Sequence, residues 1–372
     1  MEVLRVVRPA LRAGGMMRRS WRAAAVMAAV VLAGCATGRA RAREAAAPKG
    51  PVWPVMTREH VDLWLHGYAL LTRDAAQVPV FRRGYRDSVE VLRHRQNVLT
   101  ALDTNHRKLA TLMAQNPEIG NGQFLPLYFE SWDAMSAAIH AFLQAQGDPR
   151  LADPPDRPNV ALVASMFPTA QDREWLRLFT QSLGDESQHF FHQYWTAQHA
   201  LRAPYVVAAD SLWQSVRPRF QQFLTHTRQP NGELVLSLVL GGEGRTLNSS
   251  PDQNVVVVGL PESRAELEIP IYGFAHEAVQ GIATTAINDN ATAAQQRSGE
   301  AGAYAPTAAV RGGAMLIERV APGLLDGYMR FYLSQAGAPI PAGNPEPAFT
   351  AAFQLPSAIL ASLDRQIGAA LH

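Results

Sequence analysis

The chain has 372 residues, of which 47% are hydrophobic and 18% are charged, and it contains a single cysteine. This length and apolar fraction fit one large folded domain or two ordinary ones, and they exclude a disordered chain. A single cysteine excludes a disulfide framework and any zinc ribbon or cysteine-rich finger.

The positive charge of the chain is concentrated at its amino terminus. Residues 1–34 contain six arginines and one acidic residue, Glu2, which leaves 28 basic against 31 acidic residues, about −3, in the rest of the chain. The positive sign of the overall charge, +2, therefore comes from the leading segment. No nucleic-acid partner is expected for the remainder.

The first 34 residues have the pattern of an export signal. Arg18, Arg19 and Arg22 form a positive flank, and residues 23–33 that follow are uniformly apolar. An apolar stretch this short is typical of a secretory signal peptide and is too short to span a bilayer comfortably.

The apolar stretch closes with Leu32-Ala33-Gly34-Cys35, which resembles the lipobox of bacterial lipoproteins. The resemblance implies that residues 1–34 are a signal peptide and that Cys35 is acylated, so that the partner is a lipid bilayer of the cell envelope. Within that family Ala36 favours the outer membrane. Residues 35–52 then form the lipidated cysteine and a tether. A plain signal peptide with a chance cysteine is the alternative.

Residues 53–227 have mostly helical apolar spacing and are predicted to form a helical region. Thr57 and Glu59 suit a helix start, and residues 147–159 are rich in proline and are predicted to be a loop. The further predicted helices are Ser88–Gln115, Leu127–Gln146, Ala170–Ala200 and Ala208–Thr227.

Residues 228–372 have a different character and are predicted to form an α+β region. Two β-like segments, residues 233–240 and 254–259, flank a turn-forming stretch and suggest an antiparallel pair. The predicted helices that follow are Ile271–Asn288, Ala308–Val320, Leu324–Ala336 and Pro356–Ala370. The predicted fold is mainly α with a small antiparallel sheet.

The strongest candidate for a chemical site is Phe274-Ala275-His276-Glu277-Ala278-Val279-Gln280. On a helix, His276 and Gln280 share a face, and Glu277 lies beside them. Zinc peptidases use this geometry with two histidines as ligands and the glutamate as the base that activates water. Here an amide, which is a weaker zinc ligand, stands in place of the second histidine.

The order of strands, the His-Glu helix and a later helix with Glu318 resembles the gluzincin branch of zincin metallopeptidases. The resemblance covers roughly residues 230–335, and it implies a zinc site with His276 and Glu318 as ligands and Glu277 as the catalytic base. Gln280 stands where the family has its second histidine and is the remaining candidate ligand, so the expected metallopeptidase site is an impaired one. It also implies a peptide substrate held along an edge strand. Two alternatives remain open. One is a non-catalytic lipoprotein that binds a peptide or protein partner or acts as a scaffold. The other is a helical envelope protein unrelated to peptidases.

A second motif is the Glu-x-x-His pair Glu186 and His189, followed by His192. Such a pair supplies half of a di-iron site in a helical bundle, but a second copy is needed and none is found in the sequence. The neighbouring aromatic residues indicate instead the packing face of a helix.

Overall fold

The computed structural model describes residues 52–72, 76–251 and 253–372. The predicted signal peptide, Cys35 and all but the last residue of the predicted tether lie outside these ranges. The described residues form a mainly helical fold with one small sheet, which confirms the predicted fold class.

The amino-terminal part consists of helices joined by short connections and by a long 3₁₀ segment, Pro117–Tyr128. Its α-helices are α1 (Glu59–Leu71), α2 (Tyr85–Arg95), α3 (Ala101–Gln115), α4 (Trp132–Gln144), α5 (Arg157–Met166), α6 (Ala170–Glu186) and α7 (His192–His226). Helix α5 begins inside the predicted loop. A π-helical turn, Ser187–Phe191, joins α6 to α7.

Several of the predicted helix boundaries are wrong. The helix predicted from Leu127 begins only at Trp132, after the end of the 3₁₀ segment. The helix predicted over residues 88–115 is interrupted, because Asn97 has a φ of 53° and Thr100 starts α3 with a capping box that includes Asp103. The break predicted between residues 200 and 208 does not occur, since α7 continues through Pro204 and Pro218. A proline removes one helical hydrogen bond, but a long helix that packs against a core can remain helical on both sides of the proline.

Aromatic rings form the centre of the helical part. The Trp175 and Phe179 rings are stacked at 4.4 Å, and Trp64 meets Phe179 edge-on at 4.9 Å. The polar atoms of buried rings are satisfied by backbone carbonyls, as where Trp64 Nε1 donates to Gly122 O at 2.9 Å. Large rings therefore fill this core without leaving these donors unpaired.

The sheet has four strands in the order β1-β2-β4-β3. They are β1 (Val55–Met56), β2 (Glu233–Ser237), β3 (Arg245–Ser250) and β4 (Gln253–Gly259). The predicted antiparallel pair is wrong, because β2 and β4 pair in parallel. The intervening stretch, predicted as a turn, forms the edge strand β3, which is antiparallel to β4. The four valines of β4 are buried, as expected for a strand between two neighbours.

The remaining helices cover the sheet and complete the core. They are α8 (Ile269–Ala278), α9 (Gln280–Asn290), α10 (Ala293–Ser298), α11 (Glu300–Ala303), α12 (Ala305–Val320), α13 (Leu325–Gln335), α14 (Glu346–Ala352) and α15 (Ser357–Ala370). One helix predicted over residues 271–288 is therefore two, since Val279, between α8 and α9, departs from helical geometry with a ψ of −3°.

Contacts join the helical region to the sheet-containing region. Strand β1, from the amino-terminal side, pairs with β2. The ring of Trp53 meets Phe274 of α8 edge-on at 5.1 Å, and Trp213 of α7 contacts the same phenylalanine at 4.4 Å. The hydrophobic core is therefore continuous across both regions. Among the described helices, none combines the length and the apolar character needed to cross a membrane.

Candidate functional site

Helix α8 carries the predicted His-Glu pair and lies against the sheet. Pro270 occupies its first turn, where the missing N–H leaves no hydrogen bond unmade. Gly273 allows a close approach to β4, since a Cβ there would lie 2.9 Å from a methyl carbon of Val258. This packing places His276 and Glu277 in the last turn of a fully buried helix, beside the start of β3.

The imidazole of His276 is fully buried. Its Nδ1 lies 2.9 Å from Oε1 of Glu277, and its ring is stacked against Tyr332 of α13 with 5.5 Å between centroids. An ionised carboxylate only accepts hydrogen bonds, so Nδ1 carries the proton and donates it. The other nitrogen, Nε2, is buried without a hydrogen-bond partner among the described residues.

The carboxylate of Glu277 is bonded to the chain segment that begins β3. Oε1 accepts the backbone N–H of Gly244 at 3.0 Å, and Oε2 accepts the hydroxyl of Thr246 at 2.6 Å. No larger residue fits at position 244, where a Cβ would lie 2.5 Å from the Val257 carbonyl oxygen. Glu277 therefore connects α8 to the edge strand.

The same hydrogen bonds keep Glu277 ionised. Burial alone would raise the pKa of this carboxyl group, but the hydrogen bonds from His276 and the Thr246 hydroxyl and the charge of Arg245 outweigh it, so the pKa lies below its ordinary value. A buried carboxylate that accepts several hydrogen bonds is stabilised in its charged form.

A cavity of about 340 Å³ lies beside this carboxylate. Its polar walls include Glu277, Gln280, Glu243 and Thr246. Arg245 also lines the cavity, and its guanidinium donates to Gln123 Oε1 at 3.0 and 2.6 Å and lies 5.4 Å from the ring centre of Phe124. The 3₁₀ segment thus fixes the arginine over the cavity.

The predicted site residues are only partly brought together. His276 and Glu277 are in contact, and Gln280 lines the same cavity as Glu277, although the helix break at Val279 separates it from α8. Glu318 is exposed in the last turn of α12, and that helix instead presents Gly313 to the histidine. A Cβ there would lie 3.3 Å from the His276 Cα.

These donors do not fit a tetrahedral zinc centre. His276 offers a single unpaired nitrogen, Gln280 offers a neutral amide, and both oxygens of Glu277 already accept hydrogen bonds. In the part of the chain that the structure describes, no three His, Cys, Asp or Glu side chains are grouped so that they could hold a metal ion. Zinc binding at His276 stays a prediction.

The second motif belongs to a buried ionic network that the sequence analysis missed. Glu186 accepts from His66 Nε2 at 3.1 Å, lies 3.2 Å from a guanidinium nitrogen of Arg93, and also bonds to Thr100. His189 is directed elsewhere, with Nδ1 3.0 Å from an oxygen of Asp185. Glu186 thus links α6 to three other segments of the helical part.

Other residues of the candidate site also escaped the sequence analysis. Thr246 lies in a polar stretch that gave no strand signal, and Tyr332 lies on a distant helix whose periodicity indicates packing alone. Comparison of the chain with protein-family models, with curated proteins and with solved structures gave no match.

Proposed function

We propose that the chain is an exported bacterial envelope protein, anchored through Cys35, that binds an extended peptide or a segment of a partner protein beside β3 without hydrolysing it. The sequence supports the anchor through the lipobox-like Leu32-Ala33-Gly34-Cys35 and the preceding signal pattern. The support for the binding site comes from the cavity and the edge strand.

Strand β3 lies at an edge of the sheet, with β4 as its neighbour. Edge strands present backbone N–H and C=O groups that can pair with an added strand. The cavity at the start of β3 combines an aromatic wall, Phe124, with the polar side chains of Gln280 and Glu243. Pairing along β3 together with one side chain in this cavity would give both affinity and specificity.

The observation that carries the non-catalytic interpretation is the state of Glu277. Both of its oxygens accept hydrogen bonds from residues at the start of β3. A general base must lie within hydrogen-bond reach of the water that it deprotonates, and in Glu277 the strand already occupies part of the accepting capacity of both oxygens. The carboxylate thus stabilises the strand that would hold the ligand.

A zinc-dependent peptidase is the second candidate, and the free Nε2 of His276 favours it. This nitrogen is buried and unpartnered, which is the state of an imidazole available as a ligand. Zinc would supply Lewis-acid polarisation of a peptide carbonyl. His276 and Gln280 are the predicted ligands that would hold it, and of these two Gln280 lines the cavity beside Glu277.

A pool of random peptides passed over the immobilised full chain tests the proposal. The wild type is expected to retain a subset of peptides intact, and Gln280→Leu is expected to lose them. Gln181→Leu, an exposed glutamine of α6 outside the cavity, is the matched control and should retain them. Retention of no peptide would refute the binding function.

Mass spectrometry of the retained and released peptides, with metal analysis of the protein, separates the two candidates. Cleaved peptides together with about one zinc per chain, both lost in His276→Ala, would establish the peptidase. Intact peptides on a zinc-free protein would support the non-catalytic function.

A further inference from the structure

Helix α7 exposes an uncharged apolar face along part of its length. Leu201 and Val207 are 70% and 67% exposed, far above the exposure typical of such side chains. The apolar residues on this side of α7, from Ala197 to Ala208, recur mostly at three- and four-residue steps, so they lie along one side of the helix. We call this the apolar face, and it consists of Ala197, Ala200, Leu201, Pro204, Val207 and Ala208.

The charged and polar residues of this stretch lie on the inner side of the helix. Arg202 is bonded to Glu262 at 2.7 Å, and Nε2 of His199 lies 3.7 Å from the buried carboxylate of Asp62. Tyr205, at the margin of the face, is partly exposed. An exposed apolar strip with a tyrosine at its margin can bury its apolar side at the headgroup boundary of a bilayer.

The chain enters the described structure next to this helix. The carbonyl oxygen of Trp53 accepts hydrogen bonds from Trp213 Nε1 at 2.9 Å and from Gln214 at 3.3 Å, both on α7. With a rise of 1.5 Å per residue, the apolar face begins about 8 Å and ends about 24 Å along the helix from Trp213. Cys35 precedes Val52 by 17 residues, a length of chain that reaches at most about 60 Å. A bilayer that holds Cys35 is therefore within reach of the apolar face.

We propose that the apolar face of α7 docks on the lipid bilayer to which Cys35 is anchored. This inference rests on the anchor in the proposed function and adds an orientation to it. The face is too small to hold the protein on a membrane by itself. The anchor overcomes this because it raises the effective concentration of lipid next to the helix, which turns docking into an intramolecular step. Docking is thus expected only in the acylated chain.

Site-specific fluorescence on the full acylated chain tests this docking. Leu201→Cys and Val207→Cys place a thiol on the apolar face, while Leu99→Cys and Leu151→Cys place one at the comparably exposed control positions, 79% and 67% exposed in the wild type. Each variant is labelled with an environment-sensitive dye and reconstituted into vesicles of phosphatidylethanolamine and phosphatidylglycerol that contain a nitroxide lipid. Quenching at 201 and 207 is expected to exceed that at both controls by about twofold or more, because an interfacial helix buries its apolar side at the headgroup boundary.

Three results would overturn the docking. Equal quenching at all four positions would show that the helix is not oriented toward lipid. A dye response at 201 and 207 that rises with protein density but is insensitive to the nitroxide lipid would show that a second copy covers the face. If the wild-type chain fails to float with the vesicles, the anchor itself is refuted. The docking is then refuted as well, because it depends on the anchor. Flotation thus distinguishes failure of the anchor from failure of the docking.

Discussion

The contact between Glu277 and the start of β3 predicts that Gly244→Ala destabilises the protein strongly. The new Cβ would lie 2.5 Å from the carbonyl oxygen of Val257 and 2.6 Å from Cγ of Glu277. The first neighbour is backbone and cannot rotate away, so overpacking is expected to cost about 1–3 kcal/mol. Displacing the Gly244 N–H from the carboxylate adds about 1.5–3 kcal/mol, since hydrogen bonds to charged groups are the stronger ones. Together they give a loss on the order of 2.5–6 kcal/mol.

Urea unfolding, followed by tryptophan fluorescence, measures this change. Gly184→Ala is the control, because nothing lies within 4 Å of a Cβ at that position in α6. Alanine in a helix interior is favoured over glycine, so the control should gain up to about 1 kcal/mol. A Gly244→Ala variant as stable as the wild type would refute the close coupling of Glu277 to β3.

Three further predictions concern helices α7 and α8. Glu277→Gln should make the free energy of unfolding less dependent on pH below about pH 4.5. The pKa of Glu277 lies below its ordinary value of 4.5, so the ionised carboxylate stabilises the fold above pH 4.5, and this stabilisation is lost as the pH falls through the folded-state pKa. Urea unfolding midpoints measured over this pH range that fall equally in the variant and the wild type would contradict this. His276→Ala should lower the free energy of unfolding by about 2–4 kcal/mol in the presence of a chelator, because the ring stacked on Tyr332 is lost; a loss seen only with added zinc would instead point to a metal. Pro204→Ala should raise stability by about 1–3 kcal/mol by restoring a hydrogen bond inside α7, and thermal unfolding that shows a decrease would mean that the proline has a packing role.

The positions of most helices could be predicted from apolar periodicity, but not where they are interrupted. The break before Thr100 had a local signal, since Thr100 and Asp103 have the spacing of a capping box. The break at Val279 had only a weak local signal, Gly281 two residues later, because a single glycine is tolerated within a helical pattern. Conversely, Pro204 is a sequence signal for a helix break, yet α7 continues through it.

The strand pairing shows a different limit of the sequence. The four valines of β4 indicated a strand buried on both faces, which is the pattern of a parallel neighbour. The polar stretch from Arg245 to Ser250 lacks the alternation of a half-buried strand. Because this edge strand was not recognised, β2 and β4 were expected to pair directly as a hairpin. The antiparallel partner of β4 is in fact β3.

The local part of the candidate site was predictable and its distant part was not. His276 and Glu277 are adjacent in sequence, so their proximity needs only a helix. The partners that determine what they do, Thr246 and Tyr332, come from a strand and a helix far along the chain. Glu318 was chosen for its chain order, and it lies on the exposed side of α12 because Gly313 occupies the side that faces the histidine.

The bonding of Glu277 gives its dipeptide a structural role that is independent of any metal. His276 donates to Oε1, the Gly244 N–H binds the same oxygen, and Thr246 binds the other. Removing the carboxylate would leave a buried N–H unpaired at the start of the edge strand, which is a costly change whether or not a peptide is cleaved. Glu277 thus holds the start of β3 against α8, and His276 donates a hydrogen bond to that carboxylate. Because a carboxylate oxygen has two lone pairs, Oε2 can keep the Thr246 hydrogen bond and still accept one from a ligand or water in the cavity that Glu277 lines.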